Sequence, residues 1–148
     1  MNLASRAMAV VGIIVVVGMF VTGWADASSL EGERYSYETI PTEDVPDVHT
    51  GCGEFEANGL GLLTIDSPTP VYDGHWRERR FRGISMFRST VDVPYGGDVY
   101  YIHTVGIKPR EGFMVGGANV IDGLGNTWFV KWAAEEDNAC DLDPDDAI

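Results

Sequence analysis

Residues 84–107 read ISMFRSTVDVPYGGDVYYIHTVGI. The pattern has a period of two: Val99, Tyr101, His103, Val105 and Ile107 share one face of an extended chain, and no 3.6-residue stripe competes with them. Tyr95-Gly96-Gly97-Asp98 stands between the two apolar runs, Ile84–Val93 and Val99–Ile107. Glycine tolerates the positive φ of a tight hairpin turn, so this punctuation predicts two antiparallel strands.

The same grammar continues on both sides. Upstream, Phe55 and Ala57 alternate with Glu54 and Glu56, Asn58-Gly59 follows, and Leu60–Ile65 forms the next run. Downstream, Lys108-Pro109-Arg110-Glu111-Gly112 turns the chain into Phe113–Ile121, and Asp122-Gly123-Leu124-Gly125-Asn126 turns it into Thr127–Ala134. In that last run Trp128, Val130 and Trp132 point one way, with Phe129 on the other side between Thr127 and Lys131. Six to eight short strands joined by Gly- and Pro-bearing turns predict an all-β domain over 51–140, an antiparallel β-sandwich or small barrel. No segment repeats at a fixed period, so a solenoid or propeller is not expected.

A different signal precedes the strands. From Ala7 to Trp24 the chain carries no charge; Arg6 lies before this run and Asp26 after it. Eighteen helical residues reach about 27 Å, close to the thickness of a bilayer's hydrocarbon layer. Residues 1–27 are therefore expected to form one N-terminal hydrophobic helix, serving as signal or anchor. Ala25-Asp26-Ala27 has the small-x-small pattern of a cleavage site, whereas the length of the run suits a permanent span. Either way Arg6 stays inside, and all that follows residue 27 lies outside the cytoplasm. Residues 28–50, acidic and Pro-bearing, read as a spacer with one edge strand near Tyr35–Tyr37, and residues 141–148 as an acidic tail. In an oxidising compartment Cys52 and Cys140 are expected to form a disulfide.

The net charge of −13 excludes a nucleic-acid binder, whose affinity comes from clustered cations. With 45% hydrophobic residues the chain is too apolar for a disordered acidic tail. Against this background His75-Trp76-Arg77-Glu78-Arg79-Arg80-Phe81-Arg82, with Arg88, gathers five of the ten cations. In an extended chain Arg77 and Arg79 face one side with Phe81, and Trp76, Arg80 and Arg82 face the other, where a guanidinium can stack on Trp76. Trp76, Arg77, Arg79, Arg80, Arg82 and Arg88 are thus the expected partner-binding residues, directed at a protein or envelope component that offers carboxylates or other anions. The competing reading is internal neutralisation by the chain's own acids.

Signatures of catalysis are weak. Gly83-Ile84-Ser85-Met86-Phe87 lacks the second glycine of a nucleophile elbow. His49, His75 and His103 are too widely spaced to suggest a zinc site. Asp141, Asp143 and Asp145 alternate as a calcium loop does, but its sixth position holds Asp146 instead of glycine. No metal or cofactor is expected. These features predict a non-catalytic extracytoplasmic accessory or structural protein, membrane-anchored or exported. The alternatives are a small secreted hydrolase using His75 or His103, and a pilin-like filament subunit.

Overall fold

A computed structural model of the chain describes residues 29–143 and 145. The expected N-terminal helix lies outside the described residues, and among these no helix is long and apolar enough to cross a membrane. The domain is all-β and antiparallel. Its strands are β1 (Arg34–Ile40), β2 (Thr50–Phe55), β3 (Leu60–Leu63), β4 (Tyr72–Phe81), β5 (Ile84–Tyr95), β6 (Asp98–Arg110), β7 (Phe113–Ile121) and β8 (Thr127–Glu136).

Each strand pairs with its neighbours in sequence, and β1 pairs with β8 from Tyr35 opposite Glu136 to Ile40 opposite Lys131. The sheet therefore closes into an eight-stranded up-and-down barrel. Of the two expected all-β architectures it is the barrel, not a sandwich of two facing sheets. Every connection joins neighbouring strands, and a sandwich of the Greek-key kind needs at least one that does not. β1 falls within the stretch read as a spacer, 28–50, so the barrel begins before residue 51. Every strand thus has a neighbour on each side, although β4 beyond His75 has no β3 residue opposite it.

The interior is filled by rings. Phe55 lies edge-on to Trp76 (5.1 Å between centroids) and to Phe87 (4.9 Å), and Phe87 leads on to Trp132 (5.8 Å). These rings occupy the space that side chains of β6 and β7 would otherwise take. Gly106 and Gly116 sit opposite each other in the ladder. A Cβ on Gly106 would come within 2.5 Å of Phe87 and 2.7 Å of Trp132, and one on Gly116 within 2.5 Å of Trp132.

This packing reverses the simplest reading of β6. Its apolar face, carrying Tyr101, His103 and Val105, points outward, with Val105 60% exposed. The inward face carries Ile102, Thr104, Gly106 and Lys108. Where the Phe87 ring and the Trp132 indole crowd the wall, β6 needs a glycine more than an apolar side chain.

Lys108, expected in a turn, is a barrel residue with no exposed surface. Its Nζ donates to both carboxylate oxygens of Glu33 (2.8 and 3.0 Å) and pairs with Glu111 (3.1 Å). The Tyr35 hydroxyl donates to the same Glu33 carboxylate at 2.5 Å. Leu30, fully buried, joins the ring cluster and plugs this mouth of the barrel. A buried ammonium is tolerable only with such pairing.

Cys52 and Cys140 are bridged, with Cα atoms 5.9 Å apart. The bridge fits an oxidising, extracytoplasmic setting. It holds Leu142 in a small apolar cluster with Leu62 and Val71 on the outer wall. The segment expected as a solvated tail thus begins with a packed residue.

Candidate functional site

β4 determines the site through its alternation. Trp76 and Glu78 point into the barrel, so Arg77 and Arg79 point out. The ladder then extends the outward face sideways. Arg77 stands opposite Arg88 and Arg79 opposite Met86 on β5. Arg88 stands opposite Val105 on β6, Val105 opposite Gly117 on β7, and Gly117 opposite Lys131 on β8.

These residues border a groove of about 710 Å³ on the outer wall. Its floor is Val105, Ile107 and Val115, with the Phe129 ring lying over Gly117 and Ile40 at the far side. Phe129 is 50% exposed and Met86 39%. Arg77, Arg79 and Arg88 line one bank, and Lys131 the other. Strands lie about 4.8 Å apart, so the three steps from β5 to β8 separate Arg88 and Lys131 by about 14 Å along the wall.

The electrostatics of the groove are unusual for so acidic a chain. Among the described residues none of Arg77, Arg79, Arg88 and Lys131 has an acidic partner. Glu78 is the one acid bordering the groove. Its carboxylate is engaged by the Ser29 and Ser85 hydroxyls and by Arg80. Arg77 and Arg88 face each other directly across the ladder, an arrangement that costs stability instead of adding it. At these four positions no described acid supplies an ion pair.

The remaining expected residues lie elsewhere. Trp76 is a core residue, 8% exposed, and its indole N–H donates to the Glu56 carbonyl at 3.0 Å. No guanidinium can stack on it from solvent. Arg80 shares Trp76's side of the strand and lies 3.6 Å from Glu78. Arg82 occupies the β4–β5 turn at φ 50° and stacks on Phe81, 5.2 Å from the ring centroid. Of the six, the groove collects Arg77, Arg79 and Arg88. It adds Lys131, Met86 and Phe129, whose nearness depends on strand register and leaves no trace in sequence spacing.

Register also brings two histidines together. His75 and His103 both stand opposite Thr90, on the row beside Arg77 and Arg88. His49 pairs instead with Asp66 at 2.6 Å, near the other mouth of the barrel. Among the described residues no three His, Cys, Asp or Glu side chains form a group able to hold a metal ion. A second hollow, about 70 Å³ beside Phe55, Trp76 and Phe87, is a tenth of the groove's volume. Comparison with protein-family models, curated proteins and solved structures finds no match to this chain.

Proposed function

We propose that this chain is a non-catalytic extracytoplasmic accessory protein that holds an anionic partner in the groove between Arg77, Arg79, Arg88 and Lys131. In this reading residues 1–27 anchor it to the membrane or direct its export, and the partner belongs to a membrane complex or the cell envelope. One observation carries the proposal: four cations without acidic partners among the described residues border a single apolar groove in a chain of net charge −13. Unpaired guanidiniums held against apolar surface gain more from a carboxylate or phosphate than guanidiniums already paired within the fold. The acidity elsewhere repels the same partner, which favours one docking face over the rest.

Charge reversal separates this reading from surface decoration. Arg88→Glu places a carboxylate opposite Arg77, so the barrel is expected to gain about 0.5 kcal/mol while partner binding is lost. Urea unfolding and copurification from cells read the two effects. Unchanged copurification after joint reversal of Arg77, Arg79, Arg88 and Lys131 overturns the proposal. The N-terminal residue of the recovered protein tests the export component. Ser28 indicates release and an intact N-terminus indicates an anchor, whereas a cytosolic chain with reduced thiols contradicts both.

A further inference from the structure

The geometry points to an acidic amphipathic α-helix of a partner protein as the occupant of the groove, an inference that rests on the groove being the docking face. Three features select this shape. The groove crosses β5–β8, each of which is paired on both sides, so a partner seated there cannot extend the sheet. The floor is a strip of apolar side chains, Val105, Ile107 and Val115, continued by the half-exposed Phe129 ring, which lies over Gly117. Cations occur on both banks, on β4–β5 and on β8, about 14 Å apart along the wall.

A helix with its side chains is about 10–12 Å across, which matches that spacing. Its apolar stripe would cover Val105, Ile107 and Phe129. Acids flanking the stripe on one side would meet Arg77 and Arg88, and those on the other side Lys131. A ligand with one compact anionic head would use one bank only. Dependence on both banks is therefore the signature of a helix.

The test uses the full chain in neutral phosphatidylcholine nanodiscs. The probe is a fluorescently labelled synthetic peptide of about 18 residues with Leu at i, i+3, i+4 and i+7, flanked by Glu. Its anisotropy reports binding and its circular dichroism reports folding. The expected result is saturable binding with a gain in helicity, weakened about tenfold or more by Arg88→Glu and also by Lys131→Glu. Equal binding by a composition-matched scrambled peptide, with the same Arg88 dependence, overturns the helix but leaves the anionic docking face intact. Binding of phosphatidylglycerol vesicles without peptide binding also overturns the helix, in favour of a lipid surface. If no probe responds to Arg88→Glu or Lys131→Glu, the helix and the docking face both fall.

Discussion

Lys108 shows how a single residue can be held against its own chemistry. Burial disfavours its charge, but hydrogen bonds and attraction from Glu33 and Glu111 outweigh that penalty and raise its pKa above the ordinary lysine value. Tyr35 is pushed up as well, by burial first and then by its hydrogen bond to Glu33, and Tyr37 by burial first and then by Asp66. All three groups bind a proton more tightly in the fold than in the unfolded chain. Their contribution is complete below the unfolded values near pH 10 and is lost as pH rises above them. The slope approaches about 1.4 kcal/mol per pH unit for each group. Urea midpoints measured from pH 8 upward should therefore stay level and then drop beyond about pH 10. Glu33→Gln should soften that drop, and a flat profile would contradict the buried pairing.

At the scale of the strand, β6 and β7 owe their inward faces to the rings beside them. Gly106→Ala would push a methyl group against Phe87 and Trp132, both fixed by packing. A loss of about 2–3 kcal/mol is expected, read as a lower urea midpoint at constant slope. Trp132→Phe in the same background should restore part of the loss by shortening the ring that the methyl strikes. Trp132 Nε1 is also buried without a hydrogen-bond partner among the described residues, so losing its N–H removes a cost. Additivity of the two substitutions would show that the contact is not the cause. The same strands explain what the sequence disclosed about the groove. The alternation of Arg77 and Arg79 was visible because period two is local. Lys131 was not, because it joins them only through four consecutive ladder registers.

For the whole molecule, closure is shared between a ladder and a covalent link. β1 and β8 close the barrel by hydrogen bonds, and the Cys52–Cys140 bridge ties the C-terminal segment to β2 across 88 positions. Restricting the unfolded chain over a loop of that size is worth roughly 4–5 kcal/mol in the entropy account. Replacing both cysteines with alanine should lower the unfolding free energy by several kcal/mol and release Leu142 from Leu62 and Val71, while the β1–β8 amides remain protected from exchange. A change below about 1 kcal/mol would mean that the bridge decorates an already closed barrel. The all-β class, the hairpins at Asn58-Gly59, Gly96-Gly97 and Gly123–Asn126, and the pairing of the only two cysteines were written in the sequence, because alternation, turn chemistry and thiol oxidation act locally or leave a single option. Which face of each strand turned inward, and which cations met across the wall, depended on ring packing and on registers that couple residues far apart in the chain. Those couplings exist only once the sheet has closed.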